Sequence, residues 1–364
     1  MFLTRAEVAD YLDRHDHYCI LTHRRPDGDT VGSAVGLCLA LRSIGKDASV
    51  LHNPEITPKL EPLMEGVTVR EPGEGNIIIA VDVAEDHMLP KAHSYLRNSV
   101  DLRIDHHGGN REFTPKSLVD PQSASCAEII WDILGELDIQ MDEKMADAIY
   151  VGTSSDTGCF RYANTDVHTF DCAADCTAAG AQVFEWNQRL FETHSLEKLR
   201  LHGWMAENVK LFSEGRLAVC ALPKSVEERI GVNEDDLGNL SSFIRSIEGV
   251  CMAGLLREAE DGCKISLRAI PGYDAAAVCS LFGGGGHAGA AGGFIKEPLA
   301  VAEKSLMEAM LKWENSLTFS AIQPWSRSFA REWVSKRSWF QPKISAPAAA
   351  QSAAQSKVWT SVLA

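Results

Sequence analysis

Basic residues are in short supply. The 364-residue chain carries 35 Lys and Arg against 50 Asp and Glu, a net charge of −15. That balance argues against a non-specific binder of long nucleic acid, whose affinity rests on many phosphate contacts. A short or small phosphorylated substrate stays open, because metal ions can supply the local positive charge. No two cysteines have C-x-x-C spacing, so neither a zinc ribbon nor a thioredoxin-like site is expected. The ten cysteines are scattered, many in apolar runs such as Cys38 in AVGLCLALRS and Cys220 in RLAVCALP, and read as small buried hydrophobes of a reducing compartment. No run approaches the roughly 18 apolar residues that a membrane span needs. The N-terminal MFLTRAEVADYLDRH is too regularly charged for a signal peptide. The expectation is a cytoplasmic protein without a membrane partner. No internal repeat is found.

What is there is an alternation of helix-like and strand-like segments. TRAEVADYLDRH carries a capping box, Thr4 with Glu7, and predicts a helix. YCILTH, DASVLH, NIIIAVD and VDLRID predict strands. TVGSAVGLCLALRSIG, with Val31, Ala34, Cys38 and Leu41 at helical spacing, and SCAEIIWDILGEL, with a box at Ser125 and Glu128, predict further helices. The order predicts an α/β unit, a mostly parallel sheet flanked by helices on both faces, over residues 1–188. Residues 185–211 read as one long helix, so 189–212 is expected to link the domains. A smaller α+β unit follows at 213–314, with strands in RLAVCALP, CMAGLLREA, CKISLRAI and GGFIK and helices in YDAAAVCSLFG and LAVAEKSLMEAMLKWE. Residues 315–364 hold six basic residues against one acidic and an APAAAQSAAQS stretch, and read as a poorly ordered tail.

Four stretches share one context, each closing an apolar strand or a helix and leading into a turn. They are LTHRRPDGDTVGS with His23, Asp27 and Asp29; IIIAVDVAE with Asp82; LRIDHHGG with Asp105, His106 and His107; and YVGTSSDTGCFRYANT with Asp156. In an open α/β sheet, ligands bind at the carboxyl ends of the strands, where these groups would converge. Singly, each has a plain alternative. The Asp in RPDGD reads as a turn residue, Asp29 as a cap of the next helix, Asp82 as a strand-end acid, Asp156 as a loop cap and His107 as a surface imidazole. Their repetition at one kind of place favours a shared site. Several carboxylates in a small space repel one another, and burial makes this worse. Divalent cations resolve the conflict, and mixed imidazole and carboxylate donors suit Mn, Fe, Co or Zn better than Mg. Two cations about 3.5–4 Å apart need about this many ligands and would clamp a phosphoryl group.

This set of motifs resembles the DHH phosphoesterase superfamily, named after the triplet at 105–107. The four motifs stand in the family order over residues 23–165, and LFGGGGHAGAAGG at 281–293 resembles the glycine-rich motif of the domain that accompanies DHH in one branch. The resemblance implies a two-domain enzyme that degrades oligoribonucleotides of about two to five nucleotides and dephosphorylates 3′-phosphoadenosine 5′-phosphate (pAp). It implies that His23, Asp27 and Asp82 hold one metal, and that Asp29, Asp82, His106 and Asp156 hold a second, with Asp82 bridging. Mn2+ is the expected ion, with Mg2+ or Co2+ as alternatives. Asp105 would orient its neighbours, and His107 would face the leaving oxygen. Arg268, Gly284, Gly285, Gly286 and His287 would bind substrate. Arg161 is divided between a substrate contact and a structural salt bridge. Arg24 and Arg25 depart from the more neutral pair expected within the first motif. The resemblance leaves a homodimer open. The alternative substrate is a cyclic dinucleotide such as cyclic di-AMP, or pApA. Outside enzymes, the alternative is a nucleotide-binding sensor.

Overall fold

The computed structural model describes residues 1–108 and 113–316. The Thr4 hydroxyl accepts from Glu7 N while the Glu7 carboxylate accepts from Thr4 N, and this reciprocal cap starts α1 (Arg5–Arg14). β1 (Tyr18–Leu21) follows, wholly buried, and leads into α2 (Gly28–Ser43). Strands β2 (Ala48–Leu51), β3 (Thr68–Val69), β4 (Ile77–Val81), β5 (Leu102–Asp105) and β6 (Lys116–Val119) complete a six-stranded parallel sheet of order β3-β2-β1-β4-β5-β6. β3 and β6 were not expected: β3 has only two residues, and β6, KSLV, has only two apolar ones. α3 (Cys126–Glu136), α4 (Glu143–Asp156), α5 (Val167–Ala178) and α6 (Val183–Asn187) follow.

Strand alternation divides the apolar side chains between the two faces. Tyr18 and Ile20 join the cluster built with α1 to α4, whereas Cys19 and Leu21 join a smaller one with Val83, Leu89 and Leu96. That second face is covered by short 3-10 helices at Asp86–Met88 and Lys91–Leu96. α2 is buried nearly all round, between the sheet and α4. Its close approach to α4 requires small residues: a Cβ on Gly32 would lie 2.2 Å from the Ala148 carbonyl oxygen. Strand order reverses between β1 and β4, and the crevice at their carboxyl ends is the place where such sheets bind ligands.

The single helix expected over 185–211 is divided. α6 runs into a π-helical turn at Gln188–Glu192, Thr193 is extended, and α7 covers only Leu196–Asn208. The break comes at Ser195, whose hydroxyl accepts from Lys198 N at 2.9 Å and donates to Asp236 Oδ1 at 2.5 Å. Residues 210–212, expected as the end of the linker helix, form β7 (Lys210–Phe212) instead. The second sheet contains β8 (Leu217–Leu222), β9 (Met252–Ala259), β10 (Gly262–Ala269), β11 (Gly285–His287) and β12 (Ala290–Ile295), in the order β11-β12-β10-β9-β8-β7. β8 and β9 pair in parallel, and the other pairs are antiparallel. One face packs on α10 (Ala275–Ser280) and α11 (Leu299–Ser316), the other on α7, α8 (Lys224–Ile230) and α9 (Leu240–Arg245). The expected tail begins two residues too early, since Asn315 and Ser316 close α11; its remainder, 317–364, lies outside the described residues. No helix among the described residues is long and apolar enough to cross a membrane.

Candidate metal centre

His23 and Asp82 leave the carboxyl ends of β1 and β4, at the strand-order reversal. The His23 ring is anchored by Nδ1 donating to the Arg24 carbonyl at 2.8 Å, which leaves Nε2 facing Asp82 Oδ2 at 3.4 Å and Asp27 Oδ1 at 3.5 Å. His106 repeats the device: Nδ1 donates to the Ser123 carbonyl at 3.3 Å, and Nε2 faces Asp156 Oδ2 at 3.1 Å, Asp82 Oδ1 at 3.6 Å and Asp29 Oδ2 at 3.7 Å. An imidazole held by one nitrogen presents the other as a ready metal ligand. His107 Nδ1 donates to Asp105 Oδ1 at 2.9 Å and lies 3.3 Å from Asp82 Oδ1.

The carboxylates are held as firmly. Asp27, not Asp29, is the N-cap of α2, accepting from Asp29 N and Thr30 N. Asp29 sits inside the first turn, fully buried, where its oxygens accept from Cys126 N at 2.7 Å and Ala127 N at 2.8 Å. It therefore caps α3 from outside. Asp82 has φ +56°, a left-handed backbone that costs a non-glycine residue about 1–2 kcal/mol. Asp156 is the last residue of α4, a helix end and not a strand end.

Three sets of donor atoms each lie within 4.8 Å of one another: His23, Asp27 and Asp82; Asp29, His106 and Asp156; and Asp82, His106 and His107. Asp82 and His106 are each shared by two sets. Burial, with the charges of Asp82 and Asp156, pushes the Asp29 carboxyl well above its ordinary range. Burial opposes ionisation of Asp82 too, but the bonds from His107 and His23 outweigh it and hold this carboxyl low. Burial lowers His106, yet Asp156, Asp29 and Asp82 bring it up to about 10. His107 is brought up to about 11 against burial, by Asp105 and Asp82. Two buried atoms, Asp82 Oδ1 and His106 Nε2, have no well-directed hydrogen bond among the described residues. Orphaned donor atoms at the centre of a crowded anionic cluster are what divalent cations satisfy, so the residues present fit such ions.

The DHH family N-terminal domain matches residues 17–153, and the DHHA1 domain matches residues 215–314. A bifunctional oligoribonuclease and PAP phosphatase NrnA from Thermus thermophilus is 32% identical over 281 residues, 76% of this chain and 83% of that protein. The chain belongs to the DHH phosphoesterase family. As such it is a hydrolase. The protein of the same name from Bacillus subtilis is 26% identical over 295 residues, 80% of this chain and 93% of that one. An exopolyphosphatase-related protein from Bacteroides fragilis shares the fold, with TM-score 0.78 at 23% identity over 85% of this chain and 96% of that one.

The DHH triplet, Asp105-His106-His107, ends β5 opposite the second sheet. The His287 ring stacks on the His107 ring, with centroids 5.7 Å apart and planes at 25°. Register places His287 and Arg268 on one face, two strands apart: His287 on β11 and Arg268 on β10 both pair with Ala290 of β12, which lies between them. Burial lowers His287, and the charges of His107 and His106 lower it further. The glycine-rich motif includes an edge strand, β11. A Cβ on Gly284 would lie 2.2 Å from the Gly292 carbonyl oxygen, and one on Gly286, with φ +139°, 2.5 Å from that of Ala290. Gly285 lies between them in β11, exposed. Arg161 makes no salt bridge among the described residues; its Nε donates to the Gly158 carbonyl at 2.5 Å. Arg24 and Arg25 are both exposed, and Arg25 has φ +51°. Sequence reasoning missed the amides of Cys126 and Ala127 and the carbonyl of Ser123. The Ser125 cap at the start of α3 was the available signal for that segment.

Proposed function

We propose that this chain hydrolyses short oligoribonucleotides to mononucleotides and pAp to AMP, using two divalent cations, with Mn2+ the first candidate. The observation that carries the reading is the stack of His287 on His107 beside the donor cluster, which supports a substrate cleft between the two sheets. A cleft closed on two sides suits a few nucleotides better than a long strand, and the acidic surface outside it would not hold one. The names of the two NrnA relatives support the same substrates. His23, Asp27 and Asp82 would hold one cation; Asp29, Asp82, His106 and Asp156 would hold the other. When bound, the cations supply Lewis acidity that activates water and takes up phosphoryl charge.

The chain's own groups do the rest. Asp105 fixes the His107 ring through Nδ1, so that Nε2 carries a proton toward the leaving oxygen. His287 and Arg268 hold a phosphate from the second sheet, Gly284 to Gly286 let it approach the backbone, and Arg161 contacts the substrate from the first. Residues 1–188 carry the chemistry, 213–314 grip the substrate, and the broken segment between them is the hinge. The ten cysteines are all free thiols, which supports work in a reducing cytoplasm. The test is turnover with Mn2+ of a 5′-phosphorylated RNA dinucleotide, a long RNA strand, pAp and cyclic di-AMP, beside an Asp82→Ala control. Fast release of mononucleotide from the dinucleotide, with pAp consumed and the variant inactive, is expected. Preference for cyclic di-AMP, or no turnover with metal bound, overturns it.

A further inference from the structure

Three consecutive residues just past Asp156 hold left-handed backbone: Gly158 at φ 57°, Cys159 at 59° and Phe160 at 60°. Only glycine adopts this region freely, so Cys159 and Phe160 stay there because their surroundings force them to. Cys159 N donates to the Ser154 carbonyl at 2.6 Å, and Phe160 N donates to Thr157 Oγ1 at 3.1 Å. Arg161 N and Tyr162 N both donate to the Thr157 carbonyl, at 2.9 and 3.0 Å. The Phe160 ring packs between Tyr150 and Phe170, at centroid distances of 5.9 and 5.6 Å. Ending a helix requires none of this, and strain retained beside a reactive centre points to a task.

The turn decides where Tyr162 goes. Its ring lies flat over Gly158, where a Cβ would stand 2.3 Å from Cζ. The ring is thus backed by main chain, yet 43% of the residue remains exposed. On the second sheet, burial lowers the Arg268 guanidinium. Arg268 makes no ion pair among the described residues, and its Nη1 donates to the Leu267 carbonyl at 3.0 Å.

We infer that Tyr162, its ring backed by the Gly158 main chain and a few residues from the Asp156 carboxylate, is the surface on which a nucleobase of the substrate stacks. A rigidly backed, half-exposed aromatic ring suits the π-face of an unpaired base of any identity; a duplex, whose bases are already stacked, gains nothing from it. The inference rests on the short-RNA reading and adds to it a residue that measures for a base.

The test uses the full chain with Mn2+ and three substrates: 5′-phosphorylated diadenylate and the two analogues that each lack one base. Wild type, Tyr162→Phe and Tyr162→Ala are compared for kcat and KM. Tyr162→Ala raises KM on the intact dinucleotide about 10-fold or more, as expected for a lost base stack, while kcat stays near wild type. Tyr162→Phe, which keeps the ring, matches wild type. On one of the two analogues, wild type and Tyr162→Ala become equal, because no base is left to stack. Equal KM values on the intact dinucleotide overturn the inference. So does a Tyr162→Ala defect of the same size on all three substrates, which is the mark of a merely structural role. A wild type that cleaves dinucleotide with no difference in the variant sinks this inference alone. A wild type that cleaves no dinucleotide sinks the short-RNA reading and this inference with it.

Discussion

The carboxylate of Asp29 accepts the backbone amides of both Cys126 and Ala127, so an acid in the first turn of α2 caps α3, which begins 97 residues later. The same carboxylate faces His106 Nε2 at 3.7 Å. One side chain therefore joins the packing of two helices to the donor cluster.

Asp29→Asn separates those two tasks. Asparagine has one acceptor oxygen, so one of the two buried amides loses its partner, at a cost of about 1–3 kcal/mol. Urea unfolding of the metal-free protein should show that loss, and bound Mn2+ measured by mass spectrometry should fall below two per chain. Unchanged stability would mean that the two amide bonds contribute little.

Chelation should act on stability as well as activity. Burial and neighbouring carboxylates push Asp29 and Asp156 up, and a bound cation relieves that crowding. Chelator-treated protein should turn over nothing. Adding Mn2+ at 100 times its Kd should raise the unfolding free energy by about 2.7 kcal/mol. A chelated protein that melts and reacts as before contradicts a metal centre here.

Gly286→Ala tests the edge strand. The added Cβ meets the Ala290 carbonyl oxygen and must also accept φ +139°. β11 then moves and carries His287 away from His107, and kcat/KM should fall by up to about 100-fold. Because β11 is exposed at the sheet edge, the melting temperature should change little. Wild-type kinetics in this variant would show that the placement of His287 does not matter.

Glu314 gives the second sheet a pH dependence. This buried carboxylate accepts from Arg216 Nε and the Tyr273 hydroxyl, each at 2.9 Å, and from Ser213. Burial alone would raise its pKa, but these donors outweigh burial and hold it below the ordinary glutamate value. A depressed folded-state pKa stabilises the fold above the unfolded value, about 4.3, and the benefit fades as pH falls through the folded value. Wild type should therefore exceed Glu314→Gln in urea stability at pH 7, with the gap closing as pH drops below about 4. A gap independent of pH would assign the effect to packing alone.

Much of the site could be read directly. The four stretches holding His23, Asp27, Asp29, Asp82, Asp105, His106, His107 and Asp156 stood out by residue type and local context, the resemblance selected six of these as ligands, and the structure gathers those six in overlapping donor sets. Local context failed where a distant partner decided the outcome. Asp29 looked like a cap of its own helix but caps another. Residues 185–211 have helical composition throughout, yet the hydroxyl of Ser195 is bonded to Asp236, and the helix breaks there. Residues 285–287 carry no local strand signal, because glycine disfavours strands; β12 supplies the pairing that makes them one.

By itself, the sequence determined the chemistry of the centre, because donor type is a property of each side chain and the motif spacing that orders the donors is short-range. It also determined which segments form the main strands, since a short apolar run bounded by turn residues is visible within a few residues. Only the tertiary structure decided how those donors meet. Strand order put His23 beside Asp82, register put His287 and Arg268 on one face of the second sheet, and a strained left-handed turn laid the Tyr162 ring over Gly158. Those relationships depend on hydrogen bonds and packing between residues far apart in the chain, which local periodicity does not encode.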